Sequence, residues 1–554
     1  MSIDMPFGIA GRLGYAELCR SFQWNTPETF NFATDVVEAW AAQRDGTALI
    51  TEGAGGDVRT FRFSDIALAA RRFAEVLDNA GVAKGDRIVI MMPRIAEWQI
   101  AMVGAMRIGA VVIPCIEMLT ARDVAYRIEH SGATAVFCRA SQRSKFDAVR
   151  VPVRIALDDD GSRDAYERDG WIDYSRATSA STGQSAPVIV HAEDPVAMYY
   201  TSGSTGHPKG VLHAARAIFA WRYAALHWLD LSPEDRIWCT ADIGWSKAGT
   251  SVLFGPWSCG ACAFMFDGPF DPAVRLSLLS KHRISVYCAP ATELNRVVDE
   301  NISAYDISVL RRTVSAGEPM NPVVAGRWQA ATGVDVCEAY GQTESLMTVF
   351  NFPDQPGRIG SMGRPGPGID LDVVDDEGNR LGADAEGHIA VCQPNPLMML
   401  GYWNDEEKTD ASFVDGPEGR WYLSGDRGVR DSDGYFWFAG RADDVITSAG
   451  YRIGPMEVEN ALLEHVSVLE CAVIGAPDAA RGEIVKAFIV LRHGAAGDDA
   501  LVSALQDHVK ALTAPYKYPR AIEFLDELPK TITGKIRRRA LRDREKSLNG
   551  GPRG

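Results

Sequence analysis

The chain alternates between two hydrophobic rhythms over roughly its first 400 residues. After Ser64, the residues Ile66, Ala69, Phe73, Val76 and Leu77 recur at helical spacing, which predicts a helix capped by Ser64 and ended by Gly81. Residues 87–92 are a continuous apolar run and predict a buried strand; 96–108 predict a helix and 110–114 another strand. Repeated strand–helix–strand units imply parallel sheets with helices on both faces, and ligands then sit at the carboxyl ends of the strands. Small polar residues at 175–187 predict a linker. From about 355 to 400 short strands and turns predict an antiparallel subdomain, including a turn at Asp376-Glu377-Gly378-Asn379. After Gly440 the pattern resets to helices at 455–463 and 500–512 and strands at 469–475 and 483–491. The expected fold class is therefore α/β: an N-terminal domain over 1–440, its antiparallel subdomain included, then an α+β domain over 441–554. The short polar segment 440–444 between them suits a hinge.

Length agrees with this division, since 554 residues exceed what a single core usually organises. A net charge of −16 argues against a nucleic-acid or anionic-membrane surface. No 18-residue apolar stretch occurs, Met1-Ser2-Ile3-Asp4-Met5-Pro6 lacks the features of a signal peptide, and Gly551-Pro552-Arg553-Gly554 is no peroxisomal address, so a cytoplasmic protein without a membrane span is expected. A homo-oligomer stays open. The ten cysteines lie singly in apolar contexts apart from Cys259-Gly260-Ala261-Cys262, which lacks a second pair or a spaced histidine and reads as buried structure.

One segment carries chemistry on its face. An apolar run at 196–200 leads into Thr201-Ser202-Gly203-Ser204-Thr205-Gly206-His207-Pro208-Lys209-Gly210. Glycines let backbone N–H groups turn toward an anion, hydroxyls add donors, and the lysine adds a point charge. The spacing is not that of the Walker loop. Four more segments suit a nucleotide: Ala316-Gly317-Glu318-Pro319 after a strand; Glu338-Ala339-Tyr340-Gly341-Gln342-Thr343-Glu344; Ser424-Gly425-Asp426, read as the end of a strand; and Pro529-Lys530-Thr531-Ile532-Thr533-Gly534-Lys535.

In this order and spacing these segments resemble the adenylate-forming superfamily of acyl-CoA synthetases, adenylation domains and luciferases. Residues 448–463 and 514–520 resemble its medium-chain acyl-CoA synthetase branch. The resemblance implies a mobile C-terminal lid and an enzyme that joins a small-molecule carboxylic acid to the α-phosphate of ATP, then transfers the acyl group to coenzyme A. It places the β- and γ-phosphates on residues 201–209, Mg²⁺ on Glu344, and the α-phosphate on Thr343. Gly317, Glu318, Pro319 and Glu338 to Gln342 would frame the adenine, and Asp426 would take the ribose hydroxyls beside Arg441. Lys535 would bridge carboxylate and α-phosphate in the first transition state. For the second step the lid would rotate about Asp443. Ala449, Gly450 and Tyr451 would then line the pantetheine path, Arg452 would face the active site, and Arg481, Lys510, Tyr518, Pro519 and Arg520 would meet the CoA nucleotide. Glu117 stands where the family has glutamine, and a carboxylate there would repel CoA phosphates.

Acetyl-specific relatives carry tryptophan where this chain has Gly341, so the glycine is expected to leave the acyl pocket floor open, with Trp245 as a wall. Medium-chain fatty acids are the first expectation, with benzoate-like or branched short-chain acids as alternatives. A stand-alone adenylation protein that loads a carrier protein competes less well, because the CoA-like cations are present.

Overall fold

The apolar runs assemble into two large mixed sheets. The computed structural model describes residues 14–201, 208–353, 355, 357–441, 444, 446–448, 451–478, 481–514, 516–530 and 536–549, without the side chains of 447, 451, 452, 546, 548 and 549. The nine-stranded sheet has a parallel centre (Thr47–Gly53, Cys262–Asp267, Arg236–Cys239, Val286–Cys288, Arg312–Ala316, Val336–Gln342). Antiparallel strands close its two edges: Val58–Arg62 on one side, Leu346–Phe350 and Arg364–Pro365 on the other. The eight-stranded sheet is parallel from Pro195–Thr201 through Val111–Cys115, Arg87–Met91, Ala135–Arg139 and Val153–Leu157 to Ile172–Asp173. Two antiparallel strands, Lys209–Ala214 and Gly401–Tyr402, complete it.

One continuous apolar core draws residues from both sheets. The helix Ala96–Arg107 lies inside it with all twelve residues buried, so its sequence shows no polar face. Gln99 donates to the Val252 carbonyl at 2.8 Å and Arg107 to Glu38 at 2.9 Å, while the Gln99 amide oxygen and the Trp98 indole N–H are buried without a partner among the described residues. Gly104 lets this helix approach its neighbour Phe63–Asn79; a Cβ there would stand 2.8 Å from the Ala70 carbonyl oxygen.

Three expectations need correction. Ser64 is not the cap of the first predicted helix, which starts at Phe63 behind Arg62. The Asp45 carboxylate takes the Ser64 N–H at 2.8 Å and its hydroxyl at 3.0 Å, while Asp65 accepts from the Arg62 N–H. The predicted linker begins as a helix, Tyr174–Ala180, because the Asp173 carboxylate caps it through the Arg176 N–H and the Thr178 hydroxyl bonds back to the Tyr174 carbonyl. Asp426 does not end a strand either. Gly419–Arg430 runs straight through it, with Asp426 paired to Arg441 of Phe436–Arg441.

The antiparallel subdomain is present as a five-stranded sheet built on Gly419–Arg430, and its turn at 376–379 is held by Asp375, which accepts from the Asn379 N–H at 2.8 Å. Beyond it a second five-stranded sheet centres on the hairpin Val468–Asp478 and Gly482–Leu491, against Pro455–Leu463, Asp499–Leu512 and Arg538–Asn549. The buried Glu459 joins these elements by accepting from the Val473 N–H at 2.7 Å and from Arg538 at 2.6 Å. Both Cys259 and Cys262 are buried and free, as expected. No helix among the described residues is long and apolar enough to cross a membrane.

His227 sits inside the core against Tyr223, and burial lowers its pKa to about 4. The unfolded chain, with histidine near pKa 6.5, therefore binds a proton that the folded chain refuses. This contribution to stability is complete above about pH 6.5 and is lost as pH falls toward 4. His227→Phe is expected to flatten the pH dependence of the urea midpoint in that window; an unchanged slope would show that His227 is not a buried neutral base.

Candidate active site

The strand Val336–Gln342 leads into Thr343 and Glu344, and its Tyr340 and Gln342 side chains reach Asp426 on the neighbouring antiparallel sheet. Asp426 is 5% exposed and gathers three donors: the Tyr340 hydroxyl at 2.7 Å, Gln342 Nε2 at 2.6 Å and an Arg441 guanidinium nitrogen at 2.9 Å. Gln342 also donates to the Ser424 carbonyl and accepts from the Tyr422 hydroxyl, so its amide orientation is fixed. Burial raises the Asp426 pKa, against the lowering effect of Arg441 and the two hydrogen bonds.

The other end of the same segment lies near Lys209. Pro208 and Lys209 follow the loop, and Lys209–Ala214 pairs with Gly401–Tyr402. That pairing brings the Tyr402 ring beneath the Lys209 ammonium, 4.9 Å from it, and the Tyr402 hydroxyl onto Glu344 Oε1 at 3.0 Å. Burial, and then the facing Lys408 ammonium, lower the Lys209 pKa to about 8. Thr343 is fixed from two sides: His213 Nε2–H donates to its carbonyl at 2.7 Å, and its hydroxyl shares a 3.0 Å hydrogen bond with Ser246. Glu344 Oε2 takes no donor among the described residues, so one carboxylate oxygen is open to a cation. Mg²⁺ usually takes one or two carboxylates plus phosphate oxygens and water, so a single glutamate here is enough for it. Tyr402 and His213 escaped the sequence reading because neither lies in the segments it singled out; Tyr422 and Ser246 lie in such segments, but their contacts with Gln342 and Thr343 join residues distant in sequence.

The side expected to hold adenine is more structural than the sequence suggested. Glu338 does not offer its carboxylate to a base. It accepts from the Met320 and Gly360 N–H groups, both at 3.1 Å, and burial raises its pKa to about 7. Glu318 likewise accepts from the N–H and hydroxyl of Thr292 at 2.7 and 2.8 Å. Gly317 and Pro319 are exposed, and Ala339 is buried between them and the core.

A family model described as AMP-binding enzyme matches residues 36–403, and one described as AMP-binding enzyme C-terminal domain matches 457–535. The chain belongs to the AMP-binding enzyme family. It is 38% identical over 549 residues to the human acyl-coenzyme A synthetase ACSM3, mitochondrial, covering 96% of this chain and 92% of that one. The human ACSM5, mitochondrial, is 39% identical over 539 residues, 94% and 91% of the two chains. Among solved structures, the anthranilate CoA ligase AuaEII in complex with anthranoyl-AMP superposes with a TM-score of 0.85 at 29% identity, over 95% of this chain and 99% of that one. An acyl-CoA synthetase of Brucella canis gives 0.73 at 32% identity, over 97% and 98%.

In this AMP-binding enzyme Gly341 has a structural reason to be glycine that the acyl-pocket expectation did not include. A Cβ on Gly341 would meet the Leu346 carbonyl oxygen at 1.9 Å, where the pairing of Val336–Gln342 with Leu346–Phe350 shifts register. The glycine is required by a close backbone approach, and its missing side chain does not face open space. Trp245 is partly exposed, with its indole N–H buried and unpartnered among the described residues. Glu117 is not a bare repulsive charge: Arg139 grips both its oxygens, at 2.7 and 2.5 Å. Of the expected CoA contacts, Lys510 and Arg520 lie over the Tyr518 ring at 4.5 and 5.0 Å, and Pro519 is tied to Gln506. Arg481 is apart from them, exposed at the turn of the 468–491 hairpin. The backbone of Tyr451 and Arg452 forms a strand with Ile446–Ser448. Ser202, Gly203, Ser204, Thr205, Gly206, His207, Asp443, Ala449, Gly450 and Lys535 lie outside the described residues.

Gly341→Ala is expected to destabilise the protein by about 2 kcal/mol or more, because backbone and not a movable side chain blocks the new methyl. Denaturant unfolding measures this. A stability within about 0.5 kcal/mol of the parent would mean that the strand register adjusts freely.

Proposed function

We propose that this AMP-binding enzyme is an ATP-dependent acid–thiol ligase that activates a medium-chain fatty acid as its acyl-adenylate and passes the acyl group to coenzyme A. The observation that carries the reading is the placing of Lys209, Glu344 and Asp426 on one continuous stretch of site. Glu344 is clamped by Tyr402 below Lys209, and Asp426 is held by Tyr340 and Gln342 immediately upstream on the same strand. A triphosphate at the lysine end and a ribose at the aspartate end fit that order.

A carboxylate is a poor electrophile, so in the first step one of its oxygens attacks the α-phosphorus of ATP, forming the acyl-adenylate as the bond to the departing pyrophosphate breaks. The loop at 201–209 grips the departing pyrophosphate, and Thr343 meets the α-phosphate. Mg²⁺ on Glu344, when bound, neutralises charge on the phosphates. Asp426 accepts from the ribose hydroxyls. Lys535, delivered by the lid of residues 441–554, bridges the carboxylate and α-phosphate oxygens only as they react. Rotation about Asp443 then withdraws Lys535 and presents residues 449–451 along the pantetheine arm, with Arg452 at the site. The aromatic–cation group Lys510, Tyr518 and Arg520 meets the CoA nucleotide, together with Arg481 and Pro519.

The resemblance of 448–463 to the medium-chain branch and the identity to acyl-coenzyme A synthetases support a fatty acid. An aromatic acid is the second reading, favoured by the likeness to the anthranilate CoA ligase at TM-score 0.85. We read the location as cytoplasmic, although the names of the human relatives place those proteins in mitochondria.

Pyrophosphate release measured across C2 to C12 fatty acids and substituted benzoates, with and without CoA, tests the assignment. A maximum at medium chain length supports it, a maximum at benzoates selects the second reading, and no acid-dependent release refutes both. Lys535→Ala is expected to abolish acid-dependent pyrophosphate release and to spare thioester formation from supplied acyl-AMP. Equal loss of both half-reactions would refute the division of labour assigned to the lid.

A further inference from the structure

Ser246 follows the tryptophan expected to wall the acyl pocket, yet its hydroxyl reaches Thr343, 97 residues further along the chain. It opens a single helical turn, Ser246–Ala248, which runs on into the π-helical turn Gly249–Leu253. Lys247 ties that turn to the large sheet by donating to the Ala316 carbonyl at 2.8 Å, at the end of the strand Arg312–Ala316. The Ala248 N–H closes it by donating to the Trp245 carbonyl at 2.9 Å. Hydroxyls near helices commonly bond back to their own chain, as Thr178 and Ser412 do to carbonyls four residues earlier. The Ser246 side chain has its one hydrogen bond among the described residues with Thr343 instead.

That bond spans 3.0 Å between two hydroxyl oxygens, each carrying one proton. A single hydrogen bond uses only one of them, so the pair holds a proton more than its own bond needs. His213 donates to the Thr343 carbonyl at 2.7 Å and anchors the backbone beneath the hydroxyl. What remains free to change is the direction in which the two O–H groups point. When Thr343 donates to Ser246, it has no proton for a ligand. When Ser246 donates to Thr343, the threonine proton is available to an anionic oxygen beside it. In that direction the two bonds run in series, and each polarises the other.

Resting on the function proposed above, we propose that Ser246 is a positioning residue for adenylation: it donates to Thr343 and so turns the threonine proton onto the α-phosphate. The demand for that proton is greatest as the acid oxygen bonds to the α-phosphorus and pyrophosphate departs, when charge gathers on the remaining phosphate oxygens. Ser246 therefore acts through Thr343 on the rate of the step rather than on the binding of either substrate.

Steady-state pyrophosphate release by the full-length protein, with Mg-ATP and either octanoate or benzoate as the acid, tests the inference. Ser246→Ala is expected to lower kcat about tenfold and to leave the KM values for ATP and acid within about twofold. Ser246→Thr and Ser246→Val have nearly the same shape and differ in the hydroxyl. Threonine is expected to recover most of the rate, and valine to match alanine. Thr343→Val is expected to lower kcat by itself, and adding Ser246→Ala to it should cost less than about twofold more. Thermal unfolding checks that each protein is folded. An unchanged kcat in Ser246→Ala, a rise in KM alone, valine as active as threonine, or an undiminished loss in the Thr343→Val background would each overturn the role. If the parent protein releases no pyrophosphate with either acid, the functional reading fails and this inference falls with it; if the parent is active and Ser246→Ala matches it, only the inference falls.

Discussion

The buried carboxylate of Asp426 is the constraint on which the site depends. A charge removed from water must be repaid by donors, and the three it finds come from two separate strands: Tyr340 and Gln342 from one strand of the large mixed sheet, Arg441 from the last strand of the antiparallel one. The donors are positioned by strands of different sheets, so the carboxylate is satisfied only when the two sheets sit in one relative orientation. The same strand that supplies two of the donors runs on into Thr343 and Glu344, which means that the register at Asp426 also sets where the open oxygen of Glu344 lies.

Two kinds of residue surround this knot. Glu338, Glu318 and Gly341 have structural work of their own: the two carboxylates brace neighbouring loops through N–H and hydroxyl donors, and the glycine lets two backbones meet. Glu344, by contrast, keeps one oxygen without a donor among the described residues. The contrast sorts scaffold from contact more sharply than proximity does. It also shifts the search for acid selectivity away from Gly341 and toward the surroundings of Trp245, whose indole N–H has no partner among the described residues.

Much of the fold was legible in the sequence, because strand and helix periodicity and the glycine-rich loop are local signals. The buried strands at 87–91, 111–115 and 195–201 follow from continuous apolar runs, and the antiparallel subdomain from its turn residues. Local signals failed where a distant group decided the outcome. Asp45 drew Ser64 out of its capping role, and Asp173 turned a polar linker into a helix. Asp426 looked like a strand end because the sequence cannot show that Arg441 stands opposite it. The family motifs located the nucleotide segments, but the residues that hold them in place, Tyr402, His213 and Tyr422, carry no signature of their own.

The short strand Gly401–Tyr402 has a further meaning for how the protein is made. It closes the edge of a sheet whose other strands all lie before residue 215, and it brings Tyr402 to Glu344 and beneath Lys209. A ribosome adds about 5–20 residues per second, so the strand that starts at Lys209 waits roughly 10–40 s for its antiparallel neighbour. During that interval the emerging chain has a phosphate loop without its floor and an edge strand without its cover. The phosphate end of the site is thus among the last parts of the large domain to be completed, and a nascent chain cut short before residue 409 lacks it however well its earlier strands have paired.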